Sequence, residues 1–120
     1  MARIAIASSG KDLESPVDPR FGRCPYFVIL EEEGDGFEVM ENTAGQAFQG
    51  AGISAAQMIA EKGVTAVIAG NFGPKALWVL GQAGVKLYGF SGGAVEEARE
   101  AYRKGELTEY SAEVSPRGSN

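Results

Sequence analysis

The stretch that decides the fold is residues 65–74, Thr-Ala-Val-Ile-Ala-Gly-Asn-Phe-Gly-Pro. Thr65–Ala69 is a short apolar run bounded by turn residues, which is typical of a buried strand. Pro74 suits the first turn of a helix, because an N–H at that position would lack an intrahelical partner in any case. A buried strand that leads directly into a helix indicates an α/β protein with parallel strands.

The pattern continues toward the C-terminus. We expect the helix that begins at Pro74 to end near Gly84, and the next strand to cover Val85–Tyr88. A last helix is expected after Gly92, with Ala98 on its buried face. Helices between successive strands imply parallel pairing with right-handed crossovers.

The residues before position 65 complete the sheet. Strands are expected at Arg3–Ser8 and Tyr26–Glu31, and Phe37–Glu41 alternates apolar and acidic residues as the second arm of a hairpin does. Apolar residues at helical spacing predict a helix over Ala51–Lys62, which Gly63 ends. The order β-β-β-α-β-α-β-α predicts a mixed five-stranded sheet in the order 3-2-1-4-5. Strand 2 is expected to be antiparallel, and helices to cover both faces.

Length and composition narrow the possible functions. The chain has 120 residues, which fits one domain; we expect it over residues 1–110, with residues 111–120 as a flexible tail. There is no His and one Cys, so Ser-His and Cys-His catalysis, an intramolecular disulfide and a Cys-rich metal site are excluded within one chain. The apolar runs are too short for a signal peptide or a membrane span, which favours a cytoplasmic protein.

Charge is unevenly distributed along the chain. The net charge of −5 argues against nucleic acid as a partner. Residues 31–43 contain six acidic residues and no basic one, whereas residues 44–95 contain three lysines and one glutamate. The glycine-rich turns therefore lie in the neutral to positive part of the sequence.

Three strands of the predicted parallel sheet are followed by glycine-rich or hydroxyl-bearing turns, at residues 8–10, 70–73 and 89–93. Ligands of open α/β sheets bind beyond the carboxyl ends of such strands. The long loop with Arg20 and Arg23 leaves the same edge, so an anionic or oxygen-rich ligand is expected there. The alternative is that the glycines only form tight turns. The predicted ligand-binding residues are Ser8, Ser9, Gly10, Arg20, Phe21, Gly22, Arg23, Cys24, Gly70, Asn71, Phe72, Gly73, Ser91 and Gly92.

The single cysteine, Cys24, lies one residue after Arg23 and four after Arg20. Two neighbouring cations lower the pKa of a thiol, and the resulting thiolate is a soft ligand for copper(I) or an iron–sulfur cluster. Cys24 is therefore a candidate metal ligand. The alternative is a buried cysteine that acts as a small apolar residue before the second strand.

Other features support weaker hypotheses. The segment 50–55 matches the pattern GxGxxA, but no strand directly precedes it, so we interpret it as a close-packed helix start. Asp12 and Asp18 would be the Mg²⁺ ligands of a hydrolase. Phe72, Trp78 or the acidic hairpin would be the contact surface of a protein-interaction module.

Five short motifs occur in the order found in one family, the dinitrogenase iron–molybdenum cofactor biosynthesis family, and the chain resembles its NifX-like members. The motifs are Asp18–Phe27 (DPRFGRCPYF), Glu41-Asn42, Gly50–Ile53 (GAGI), Gly70–Ala76 (GNFGPKA), and Leu80 with Ala83–Tyr88 (AGVKLY). The resemblance covers about residues 2–107. It implies a ribonuclease-H-like, three-layer fold.

The resemblance also implies a non-catalytic protein that binds or carries iron–molybdenum cofactor, its precursor or a related iron–sulfur cluster, alongside other cofactor-assembly proteins. The loop Arg20–Cys24 and the turn Asn71–Gly73 are the implied binding elements. Many members have His before Phe-Gly, where this chain has Arg20. A cluster would then be ligated by Cys24 alone, or held by electrostatics and backbone N–H groups. The alternative is a small-anion-binding or protein-interaction domain outside nitrogen fixation.

Overall fold

The computed structural model describes residues 2–46 and 50–110, and the predicted tail, residues 111–120, lies outside them. The strands are β1 (Arg3–Ser8), β2 (Tyr26–Glu31), β3 (Phe37–Glu41), β4 (Ala66–Ala69), β5 (Lys86–Gly89) and β6 (Thr108–Tyr110). The helices are α1 (Ala51–Glu61), α2 (Pro74–Gln82) and α3 (Val95–Arg103), and a 3₁₀ turn covers Thr43–Gln46. None of the helices in the described ranges is long and apolar enough to cross a bilayer.

The six strands form one mixed sheet in the order β3-β2-β1-β4-β5-β6. Strands β1, β4 and β5 are parallel, with Ile4 opposite Ala66, while β2 is antiparallel to β1. The α/β class, the order of the first five strands and the antiparallel second strand are therefore confirmed. The expected total of five strands is wrong, because a sixth strand, β6, pairs antiparallel with β5 and is the outermost strand on the side away from β3. The ribonuclease-H-like classification stays a prediction.

The side chains of β1 alternate between two apolar layers, as the pleat of a strand requires. Ala5 and Ala7 pack on the side of α1 and α2, together with Phe27 of β2. Ile4 and Ile6 pack on the other side, which α3 covers. Helices therefore lie on both faces of the sheet, as the sequence predicts.

The long loop after β1 crosses the edge of the sheet where β1 and β4 end. The N–H of Asp18 donates to the carbonyl of Ala7 at 2.9 Å, and the N–H of Gly70 donates to the carbonyl of Asp18 at 3.2 Å. The N–H of Phe21 donates to the carbonyl of Asn71 at 3.2 Å. These bonds fasten the loop beside the turn that follows β4, and they position Arg20 and Arg23.

Candidate anion-binding site

A pocket of about 430 Å³ lies at this edge, between the long loop and the first turns of α1 and α2. Its floor and walls come from three separate segments of the chain. The lining residues are Pro19, Arg20, Phe21, Gly22, Arg23, Gly50, Ala51, Gly52, Ile53, Asn71, Phe72, Gly73 and Lys75.

The charged side chains of the pocket lining are basic: Arg20, Arg23 and Lys75, with no acidic residue among the described lining residues. The side chain of Arg20 is 65% exposed, and its Nε is 3.5 Å from Oδ1 of the buried Asp18. Asp18 also accepts the backbone N–H of Arg20 at 2.8 Å, which fixes the start of the loop. The pocket is thus locally positive in a chain whose net charge is −5.

The first turns of α1 and α2 both contribute to the pocket. Gly50 is the N-cap of α1, with a φ of 77° that favours glycine, and Gly73 is the N-cap of α2. Within the described chain, no side chain makes a capping hydrogen bond to either helix. Pro74 has no N–H, but the other first-turn N–H groups make no bond to a capping side chain in the described residues, so they and the positive ends of both helix dipoles suit an anion.

Two glycines let the loop approach its neighbours closely. A Cβ built on Gly22 would lie 2.8 Å from both the N and the Cα of Gly52, at the start of α1. A Cβ on Gly70 would lie 2.6 Å from the Cα of Pro19. A side chain at either position would collide with neighbouring backbone. Gly22 and Gly70 are therefore needed for packing at the pocket, and not only for forming a turn.

Two buried aromatic side chains form the floor of the pocket. Phe21 is 2% exposed and Phe72 is 5% exposed, and their ring centroids are 5.3 Å apart. Phe21 also contacts Phe27 in the core, again at 5.3 Å between centroids. The two phenylalanines anchor the loop and the turn to the core, so the polar groups above them are held in fixed positions.

Cys24 does not have the environment that the sequence predicts. Its side chain is fully buried, and Sγ donates to the carbonyl of Phe21 at 3.2 Å. Burial, and then the negative charge of Asp18, raise the pKa of the Cys24 thiol to about 12. The expected lowering of this pKa by Arg20 and Arg23 is therefore wrong. Burial favours the alternative interpretation of a small apolar core residue.

Asn42 connects the end of β3 to the loop. Its Nδ2 donates to the carbonyl of Cys24 at 2.8 Å and to the carbonyl of Gly22 at 3.2 Å. Asn42 is 3% exposed, so these bonds are shielded from water. They hold the loop in the shape that presents Arg20 and Arg23 to the pocket.

The structure does not bring Ser8, Ser9 and Gly10 into the pocket. The hydroxyl of Ser8 donates to the carbonyl of Gly10 at 2.7 Å, and the hydroxyl of Ser9 donates to Oδ2 of Asp18 at 3.2 Å. These residues close the turn after β1 and support the loop from behind. Their role in ligand binding stays a prediction.

Ser91 and Gly92 are also absent from the described pocket lining. The start of α3 beyond them is already capped, because the N–H of Val95 donates to the carbonyl of Ser15 at 2.9 Å and that of Glu96 to the carbonyl of Leu13 at 2.8 Å. Two of the three predicted turn regions are therefore not at the pocket, and only 70–73 joins the loop there.

The lining residues that the sequence did not predict are Pro19, Lys75 and the start of α1. Residues 50–55 match a dinucleotide-binding pattern only formally, and the sequence predicts close packing there. A signal was nevertheless present, since this helix starts with glycines, without a capping side chain or an acid in its first turn. A helix start of that composition leaves its N–H groups to a ligand.

Fold and site together define an α/β protein with a basic, glycine-rich pocket beyond the carboxyl ends of its parallel strands. The sequence model of the family described as "Dinitrogenase iron-molybdenum cofactor" matches residues 2–105. The chain therefore belongs to this family, and the resemblance stated above is confirmed.

Several proteins are similar over most of their length. An uncharacterized protein of Methanocaldococcus jannaschii is 36% identical over 97 residues, which cover 78% of this chain and 82% of that protein. The apo form of the orange protein from Desulfovibrio gigas superposes with a TM-score of 0.86 at 35% identity, covering 90% of this chain and 92% of that one. A Thermotoga protein of the DUF35 family superposes with a TM-score of 0.79 at 48% identity, covering 91% of this chain and 93% of that one.

Proposed function

We propose that the protein is a non-catalytic carrier that binds iron–molybdenum cofactor, its precursor or a related anionic metal–sulfur cluster in the basic pocket. The observation that carries this proposal is the meeting of three cations and two uncapped helix starts in one pocket. Family membership supports the cargo class, since the family is described by this cofactor. The cluster is cargo, received from and passed to other cofactor-assembly proteins in the cytoplasm.

The pocket would hold its cargo without forming metal–protein bonds. Cys24 is buried below the loop, and the described residues contain no group of three or more His, Cys, Asp or Glu that could hold a metal ion. Guanidinium, ammonium and backbone N–H groups are donors, and they suit the sulfur or oxygen atoms on the outside of a cluster. The metals would keep the ligands that the cluster already has.

The same side chains favour carrying over catalysis. Guanidinium and ammonium groups donate hydrogen bonds and do not accept them, so Arg20, Arg23 and Lys75 suit the binding of an anion and not general-base catalysis. The thiol of Cys24, with its pKa raised to about 12, is neutral at neutral pH and is a poor nucleophile.

Anaerobic titration with isolated iron–molybdenum cofactor tests the proposal. We expect the metals to co-elute with the protein in gel filtration, and the visible absorbance of the cofactor to change on binding. The combined variant Arg20→Ala, Arg23→Ala, Lys75→Ala should lose binding, whereas Lys86→Ala, an exposed lysine at the start of β5, should keep it. Binding by the triple variant at the wild-type affinity would contradict the proposal.

A small-anion binder outside nitrogen fixation is the second candidate. The absence of a soft ligand from the described pocket lining favours it, because such a pocket accepts anions by charge and size. A thermal-shift comparison of molybdate, sulfate, phosphate and nucleotides discriminates, since a ligand specific to the folded state raises Tm with concentration. Stabilisation by one of these anions, without binding of the cofactor, would select this alternative.

A further inference from the structure

A second and larger pocket, of about 650 Å³, lies on the α3 side of the sheet, between the β2–β3 turn and the end of α3. Its volume is in the range of small-molecule sites. The lining residues are Glu32, Glu33, Gly34, Tyr88, Tyr102, Arg103, Gly105 and Leu107. We call it the acidic pocket.

The acidic pocket lies at the edge opposite the basic one. The N–H of Glu32 donates to the carbonyl of Ala2 at 3.0 Å, and the hydroxyl of Thr65 donates to Oε2 of Glu32 at 2.9 Å. Glu32 is therefore beside the beginnings of β1 and β4. The hydroxyl of Tyr102 donates to the same oxygen at 2.9 Å, so the Glu32 carboxylate is fixed by two donors.

The charge of the acidic pocket favours a cation. Among the described lining residues, Glu32 and Glu33 are accompanied by one basic residue, Arg103. The guanidinium of Arg103 already has partners. Its Nε donates to the carbonyl of Glu32 at 2.9 Å, and its Nη2 donates to the carbonyl of Gly34. Its Nη1 is 3.8 Å from Oε2 of Glu100. Burial and the carboxylate of Glu32 also raise the pKa of Tyr102, in agreement with the acidic lining.

Two aromatic rings line the acidic pocket. The centroids of Tyr88 and Tyr102 are 5.4 Å apart, and the rings are inclined at 79°. With Leu107 they supply aromatic and apolar surface beside the two carboxylates, and aromatic rings attract alkylated ammonium groups through cation–π contacts. We propose that the acidic pocket binds the alkylated ammonium group of a small organic cation, with Glu32 and Glu33 as counter-charges. This site is independent of the carrier function.

Titration of the full chain with choline, followed by calorimetry and by NMR of the tyrosine rings, tests the site. The control ligand is 3,3-dimethyl-1-butanol, which has the shape of choline without its charge. We expect saturable binding of choline and none of the alcohol. Equal binding of both, or no saturation up to about 50 mM choline, would overturn the proposal.

Variants locate the binding. Tyr88→Leu should weaken choline binding roughly five-fold, because one ring is lost. Glu33→Gln should weaken it as well, whereas Glu41→Gln, which removes an exposed acid outside the acidic pocket, should leave it unchanged. If Tyr88→Leu lowers Tm, its weaker binding could be caused by lost stability. The Glu33→Gln variant then decides alone whether choline binds in the acidic pocket, since Glu33 is exposed in a turn. Equal affinities of the Glu33→Gln and Glu41→Gln variants would show that choline binds elsewhere.

Discussion

Gly22 of the long loop lies directly against Gly52 of α1: a Cβ on Gly22 would be 2.8 Å from both the N and the Cα of Gly52. The loop with its two arginines and the uncapped start of α1 therefore share one wall of the basic pocket. The atoms that Gly22 approaches are backbone atoms, which cannot turn aside as the end of a flexible side chain can. The width of the pocket depends on this contact.

Gly22→Ala is therefore expected to push the loop away from α1. Overpacking of this kind lowers the free energy of unfolding by about 1–3 kcal/mol. It should also weaken anion binding, because the arginines and the helix start separate. Urea denaturation and a cofactor titration measure the two effects.

Gly36→Ala is the matched control for this change, since a Cβ there would meet only Glu31 Cγ, at an ordinary 3.8 Å. It should leave stability and binding nearly unchanged. Equal effects of the two variants would show that the Gly22–Gly52 contact does not set the pocket.

Ionic strength should control binding at the basic pocket. Arg20 and Lys75 are exposed, so salt screens their attraction for an anion over a Debye length of about 10 Å at 0.1 M. Lys75→Glu should weaken binding about ten-fold or more at low salt and reduce the salt dependence. Measuring the cofactor Kd at several salt concentrations tests this.

Lys75→Glu places an acid in the first turn of α2, which the helix dipole favours, so loss of the helix would not explain weaker binding. Lys86→Glu makes the same charge change at the start of β5. Identical salt dependence in both variants would mean that only the overall charge matters.

The buried thiol of Cys24 should make stability depend on pH in the alkaline range. Its pKa rises from 9.0 to about 12 on folding, so the folded state keeps the proton that the unfolded state loses. The resulting stabilisation is complete below pH 9.0 and is lost as pH rises toward about 12. Urea denaturation at about pH 8 and about pH 10 should show a smaller decrease for Cys24→Ala than for the wild type. An equal decrease in the free energy of unfolding for the two proteins would indicate that folding does not protect the Cys24 thiol from ionisation.

Asn42→Ala should destabilise the loop. The carbonyls of Gly22 and Cys24 would lose the donor Nδ2, and buried unpaired acceptors cost about 1–3 kcal/mol. Thermal unfolding gives the loss, and Gln57→Ala, on an exposed position of α1, is the control. A Tm equal to that of the control would show that the loop does not need Asn42.

The sequence predicted the elements whose signals are local. Alternating or continuous apolar residues defined β1 to β5, and Pro74 marked the start of α2 correctly. The three residues of β6 contain no such run. This strand forms because Tyr110 packs on Gly89 and on the ring of Phe72, 5.4 Å away, which is a tertiary effect.

The site, like the fold, was predicted only where its signals are local in the sequence. Arg20, Arg23 and residues 71–73 line the pocket, as expected from strand ends, whereas Gly70 is outside the described lining. Proximity in sequence misled for Cys24, because Arg20 and Arg23 are exposed at the pocket while the Cys24 side chain is buried in the core. The carbonyls of Leu13 and Ser15 that cap α3 come from the long loop, whose path the sequence does not specify.

The two pockets, whose linings have opposite charge, lie at opposite edges of the sheet, so the surface that an anion meets depends on its direction of approach. An anion far from the protein is repelled by its net charge of −5. Near the mouth of the basic pocket, the local positive charge of Arg20 and Lys75 attracts it. Under the proposed carrier function, the association rate would therefore be more sensitive to ionic strength than the dissociation rate.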